Sequence, residues 1–204
     1  MATEPPRFTL AINAGGKSSR MGTDKAFVRL AGKPMIEHVL SRTADLGQAD
    51  TLIVTNRPDD YAVFKRPLVS DLVADKGALG GIYAALAHSR TPYTLVLACD
   101  MPFVSAPLLR YLIGLAAGDA YDLIVPRTAG YPEGLHAVYG QGCVEPIRRA
   151  LEADQLKVTG FYSVVRVRYV DEAEVQPYDP RGLSFKNINT PEDLAQAEQI
   201  AAEP

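Results

Sequence analysis

The chain has 204 residues, 47% hydrophobic and 22% charged, proportions of a globular protein that exclude disordered, fibrous and disulfide-stapled scaffolds and suit one domain over residues 1–204, with residues 1–7 as an N-terminal extension. A formal net charge of −3 with dispersed lysines and arginines gives no basic stripe for nucleic acid, and no apolar run approaches the ~20 residues that span a bilayer. Two cysteines, Cys99 and Cys143, have no zinc spacing, and the opening Met-Ala-Thr-Glu-Pro-Pro-Arg lacks the layout of a signal peptide, so free thiols and a cytoplasmic location are expected.

Short apolar and β-branched runs alternate with stretches of helical period, the pattern of an α/β protein with a mostly parallel central sheet flanked by helices. The first run, Phe8 to Asn13, is apolar almost throughout and predicts a central strand buried on both faces. Met35, Ile36, Val39, Leu40 and Leu46 then share one helical face, with Pro34 near the first turn. Strands are expected at Thr51 to Thr55 and near Pro67 to Val69, a helix from about Leu79 to Ala87, and the clearest strand at Tyr93 to Ala98. Pro107 opens a helix running to about Ala116, followed by a strand at Leu123 to Pro126, another at Leu135 to Tyr139 and a helix at Val144 to Ala153. Valine and arginine alternate over Val164 to Val170, which suggests a half-exposed antiparallel edge and hence a small antiparallel C-terminal portion. Thr190, Pro191, Glu192 and Asp193 supply an N-cap, a first-turn proline and an acidic first turn for a terminal helix.

Directly after the first strand comes Asn13-Ala14-Gly15-Gly16-Lys17-Ser18-Ser19-Arg20-Met21-Gly22-Thr23-Asp24-Lys25. The paired glycines Gly15 and Gly16 let the backbone turn and approach a ligand, and successive N–H groups there form an anion nest suited to phosphate. Arg20 and Lys25, with Lys17, add positive charge for a triphosphate. A P-loop is excluded because Ala11 stands where its first glycine belongs, and the glycine spacing does not fit the dinucleotide fingerprint. A connecting turn is the plain alternative, and three basic residues beside the glycines argue against it.

Asp100, in Ala98-Cys99-Asp100-Met101-Pro102, sits at the carboxyl end of the most apolar strand, where open α/β sheets bind ligands. It is a candidate magnesium ligand, since Mg²⁺ takes one or two carboxylates plus phosphate and water oxygens; a turn-capping aspartate is the plainer reading, and the neighbouring phosphate loop weighs for the metal. Asp71 and Asp75 precede Gly77, Gly80 and Gly81 at a helix start; either could bond a base or ribose, or be a solvated loop carboxylate. Asn187 and Asn189 lie just before the terminal helix, where asparagines ordinarily shape turns. His38, His88 and His136 form no metal spacing, with the first two on predicted helices and the third beside a glycine-containing turn. No serine or cysteine stands in a nucleophile elbow.

Taken in order, Ala14-Gly15-Gly16 to Arg20-Met21-Gly22 and Asp24-Lys25, Gly32-Lys33-Pro34, Leu79-Gly80-Gly81, Cys99-Asp100-Met101-Pro102 and Asn187-Ile188-Asn189-Thr190-Pro191-Glu192-Asp193 resemble the molybdenum cofactor guanylyltransferases, within the MobA-like NTP transferases. The resemblance runs from about Leu10 to about Ala197. It implies a Rossmann-like nucleotidyltransferase fold, GTP and molybdopterin as substrates, Mg²⁺ as cofactor, and transient docking on proteins that make or receive the molybdenum cofactor. By matching position, nucleotide is held by Asn13, Ala14, Gly15, Gly16, Lys25, Asn56, Asp71 and Asp100, Mg²⁺ by Asp100, and the acceptor by Asn187 and Asn189; Arg20, Lys25 and Asp100 are the catalytic set. Two positions depart: Asn13 replaces the usual leucine before Ala-Gly-Gly, and Gly134-Leu135 replaces a Pro-Leu pair ahead of His136-Ala137-Val138-Tyr139. The alternatives are a CTP-dependent cytidylyltransferase or a relative acting on another phosphorylated small molecule and, from a different class, a non-catalytic nucleotide- or cofactor-binding module.

Overall fold

The structure, a computed structural model, describes residues 5–15, 24–73 and 75–203. Strand β1 (Phe8–Asn13) is buried at every position and lies in the middle of the main sheet, parallel to β4 (Asp50–Val54) on one side and to β6 (Tyr93–Ala98) on the other. Between β1 and β4 the chain makes a short hairpin, β2 (Arg29–Leu30) and β3 (Lys33–Pro34), and helix α1 (Met35–Arg42). The hairpin turn puts Ala31 at φ 46° and Gly32 at φ 78°, the left-handed pair that a two-residue hairpin needs, which glycine adopts without strain. Met35, Ile36 and Val39 turn inward from α1, while Leu46 lies beyond its end and still packs on the core.

After β4 come helix α2 (Pro58–Tyr61), edge strand β5 (Leu68–Val69) and helix α3 (Gly77–His88), which starts two residues before the position its apolar pattern indicates. Beyond β6, helix α4 (Ala106–Leu115) is capped by the Ser105 hydroxyl and carries Pro107 in its first turn. Strands β7 (Leu123–Thr128), β8 (Tyr131–Pro132) and β9 (His136–Gly140) follow, then helix α5 (Val144–Glu152), a 3-10 run over Val158–Val164, strand β10 (Val167–Val170), and helices α6 (Glu172–Val175) and α7 (Pro191–Ala202). Thr190 is the N-cap that the sequence predicts, and with Asp193 it forms a reciprocal capping box on α7.

The sheet order is β10-β7-β9-β6-β1-β4-β5, with β8 paired to β7. Leu10, Ile12 and Leu97 face a core shared with α1 and α4, while Ala11 and Val96 face α3 and α5 on the opposite side. A smaller cluster of Leu30, Met35, Phe103, Ile188 and Ala197 seats α7 on the hairpin. Among the described residues no helix is long and apolar enough to cross a membrane.

The direction expected for the C-terminal strand needs correction. β10 is an edge and is half-exposed, but it runs parallel to β7 and spans only Val167–Val170; Val164, 70% exposed, belongs to the preceding 3-10 run. Alternating valine and arginine report one wet face, and a one-sided pattern carries no information on strand direction. The antiparallel strand of the main path is β9, inserted between β6 and β7 and antiparallel to both.

Candidate active site at the carboxyl ends of the sheet

The carboxyl ends of β1, β4 and β5 open onto a crevice of about 500 Å³ whose walls include Ala14, Gly15, Asn56, Arg57 and Asp71. Asn56 and Asp71 hold each other: the Asn56 amide donates to Asp71 Oδ2 at 2.8 Å, and the Asp71 backbone N–H donates to Asn56 Oδ1 at 3.0 Å. That leaves Asp71 Oδ1 buried without a hydrogen-bond partner among the described residues. A buried acceptor left unpaired costs about 1–3 kcal/mol, so it is a feature to be explained by what it meets. Asp71 is thus oriented toward the glycine loop, with its Oδ1 3.9 Å from where a Cβ on Gly15 would stand.

Asn13, the residue in the usual leucine position, is buried at the end of β1. Its Oδ1 accepts the Gly15 N–H at 3.1 Å, shaping the start of the loop. Its amide also fills the space over Gly81 of α3: a Cβ there would lie 2.6 Å from Asn13 Nδ2. The glycine at 81 therefore admits this side chain.

A second polar group forms one strand over. Asp100 follows the end of β6, and Lys25 Nζ donates to its Oδ2 at 3.2 Å and also to Asn189 Oδ1. Three distant segments therefore meet at one ammonium. The last of them is fixed from both sides, by the Ile188 N–H to the Asp100 carbonyl at 3.0 Å and by the Asn189 N–H to Asp193 Oδ2 at 3.0 Å. Backbone donors, that of Asn189 first, hold the Asp193 carboxyl below the usual carboxylate range. Asn187 stands half-buried two residues before Asn189. Gly16 and Arg20, the remaining expected site residues, lie outside the described residues, as do Lys17 and Ser18.

Other polar residues fall away from this chemistry. Cys99 and Cys143 are free and buried, and burial pushes both thiols up to about 12, leaving them neutral and unreactive. His38 bonds the Leu30 carbonyl and His88 the Ala84 carbonyl, ordinary helix-side contacts. His136 is wholly buried at the start of β9, edge-on to Phe185, with neither ring nitrogen partnered among the described residues. Sequence reasoning leaves Asp24, Arg57 and Tyr61 without a role, yet all three meet beside Lys25. The available signal is Asp24's place immediately before Lys25, an N-cap residue type at the start of a turn.

The described residues contain no group of three or more His, Cys, Asp or Glu that could hold a metal ion. Asp100 and the Asn189 carbonyl supply hard oxygen donors side by side, a set that suits a Mg²⁺ arriving with substrate phosphates and is too sparse to hold one alone.

A central parallel sheet with two polar groups at its carboxyl ends, one around an unpaired carboxylate oxygen and one around a lysine, defines a nucleotide-handling α/β enzyme. Residues 10–170 match the family model of the MobA-like NTP transferase domain. A probable molybdenum cofactor guanylyltransferase of Pelotomaculum thermopropionicum is 37% identical, covering 95% of this chain and 93% of its own length. A molybdenum cofactor guanylyltransferase of Desulfosudis oleivorans is also 37% identical, over 92% of each chain. The crystal structure of molybdopterin-guanine dinucleotide biosynthesis protein A from Archaeoglobus fulgidus superposes with a TM-score of 0.82 at 32% identity, covering 95% of this chain and 98% of that one. The chain belongs to the molybdenum cofactor guanylyltransferase family and is a nucleotidyltransferase.

Proposed function

We propose that the crevice binds GTP with the guanine edge on Asp71, and that the enzyme transfers GMP to the terminal phosphate of molybdopterin with release of pyrophosphate. The observation that carries the base assignment is the buried, unpaired Oδ1 of Asp71, held in place by Asn56. Guanine presents two parallel N–H donors on its pairing edge, a match for a fixed carboxylate; cytosine presents one donor beside two acceptors, which would face that oxygen like to like.

The triphosphate then extends from Asp71 across the Ala14 to Gly15 turn toward Lys25 and Asp100. An acceptor phosphate oxygen forms the new bond to the α-phosphorus, the bond to the bridging oxygen breaks, and pyrophosphate leaves with that electron pair. Lys25 meets the charge that builds on the phosphate oxygens, together with the Arg20 side chain and the loop N–H groups. Asp100 and Asn189 would hold Mg²⁺, which when bound withdraws electron density from phosphate oxygens and eases departure of pyrophosphate. Asn187 and Asn189 orient the acceptor so that its oxygen is in line. The proposal also includes a cytoplasmic, single-domain enzyme that docks transiently on the proteins that make molybdopterin or take up the finished cofactor.

The test is pyrophosphate release by purified protein with Mg²⁺, molybdopterin, and GTP, CTP, ATP or UTP in turn. Release with GTP alone is expected. Release with CTP would move the assignment to cytidylyl transfer, and silence with all four, from folded protein and intact acceptor, would overturn transfer to molybdopterin.

A further inference from the structure

Asp24 begins the short 3-10 turn Lys25–Phe27 and is nearly buried, with its side chain 8% exposed. Every side of its carboxylate is engaged. Oδ1 accepts the Ala26 N–H at 3.1 Å, capping the turn; Oδ2 accepts the phenol O–H of Tyr61 at 2.5 Å and pairs with the Arg57 guanidinium. Tyr61 is fully buried, and burial raises its phenol well above its ordinary value, so it stays a hydrogen-bond donor at any working pH. The far end of the turn is fixed as well, since Phe27 packs edge-on against the Tyr61 ring at 5.0 Å. Lys25 is therefore the one residue of this turn whose side chain is directed at Asp100, and Asp24 and Phe27 on either side of it are anchored on Tyr61.

Arg57 adds a second link. Its neighbour in the chain, Asn56, locks Asp71, while Arg57 itself lines the same crevice and holds Asp24. One dipeptide after β4 thus touches both the base-side carboxylate and the carboxylate that supports the lysine.

We propose that Asp24 is a positioning residue for Lys25: it fixes the turn that aims the ammonium at Asp100 and, through Arg57, ties that turn to the Asn56–Asp71 pair. The proposal rests on the reading of Lys25 as a phosphate-facing group. Asp24 faces protein on all sides and makes no contact with substrate in this scheme. Loss of its charge releases Arg57 and loosens the turn, and misplacement of a group by about 1 Å can cost on the order of a hundredfold in rate.

The experiment is a double-mutant cycle of Asp24→Asn with Lys25→Met, read as kcat and GTP KM, beside NMR of the Lys25 Cε–H resonance in the unliganded protein. Asp24→Asn keeps one of the two side-chain oxygens, which can still cap the Ala26 N–H, and sets an N–H₂ group against Tyr61 and Arg57; a thermal melt checks that the fold is kept. Expected results are a fall in kcat on the order of 10- to 100-fold with KM changed less than about threefold, and less than about a twofold further effect in the Lys25→Met background. The Lys25 resonance should move in Asp24→Asn and stay in place in Asp45→Asn, a change at an exposed side chain. Additive losses in the cycle, or an unmoved Lys25 resonance, would overturn the proposal. If the unmodified enzyme transfers nothing, it is the functional reading that fails, and the NMR comparison still decides whether Asp24 positions Lys25.

Discussion

The two oxygens of Asp71 are used differently: Oδ2 is taken by Asn56, and Oδ1 is buried without a partner among the described residues. Asp71→Asn replaces one acceptor with an N–H₂ group and would set donor against donor at the guanine edge. GTP affinity is expected to fall on the order of 10- to 100-fold while ATP affinity changes little, as calorimetric titration of both nucleotides would show. Asp100→Ala should lose at least about two orders of magnitude in turnover with an unchanged melting temperature, the usual effect of removing one strong electrostatic group; near-normal turnover would sink its assignment. Asp100 and Lys25 were legible in the sequence because charge types stand at strand ends and beside glycines, and the fold brings them within 3.2 Å. Asp24 and Tyr61 were not, because their bond joins residues far apart in the chain through a side chain that reads as an ordinary core aromatic. Asn13 was legible as a position of the nucleotide site and as a departure from a family pattern; its packing over Gly81 appears only in the structure.

Helix α3 shows how one backbone position can govern an element. At an exposed helical site Gly→Ala stabilises by about 1 kcal/mol, yet a methyl at Gly81 would meet Asn13 Nδ2 at 2.6 Å. Gly81→Ala is expected to destabilise by about 1–3 kcal/mol, as overpacking does, and the double variant with Asn13→Ala should recover most of the loss in urea melts. If Gly81→Ala alone is neutral, α3 can shift and the contact does not set its position. Among the elements, β1 and β6 matched their sequence limits because unbroken apolar runs in a doubly covered sheet leave little ambiguity at either end. The helices α2 and α6, four residues each, and the two-residue strands β2, β3 and β8 went unmarked, since elements that short have no period to read. The direction of β10 was lost for a related reason, because a half-wet edge looks the same whichever way it runs.

For the whole molecule, His136 links stability to pH. Burial lowers its imidazole to about 4 from an ordinary 6.5, against the opposing pull of Asp179. Its folded value lies below its unfolded one, so between those limits the unfolded chain binds more protons. Stability is complete above about pH 6.5 and is lost as pH falls toward 4, by about 3 kcal/mol in all. Asp122, lowered chiefly by its bond to Arg166, adds a loss at still lower pH. His136→Leu removes the first of these, so the drop in melting temperature from pH 7 to pH 5 should be smaller in the variant than in the parent protein. An equal drop in both would mean that the acid sensitivity arises elsewhere.

The central place of β1 has a consequence for how the chain is made. β1 leaves the ribosome before both strands that enclose it, and its β6 partner is complete only about 85 residues after Asn13. At roughly 5–20 residues per second, six consecutive core residues wait several seconds with at most one neighbour. The pace of translation between β4 and β6 therefore sets how long this strand is open to chaperones or to another nascent chain.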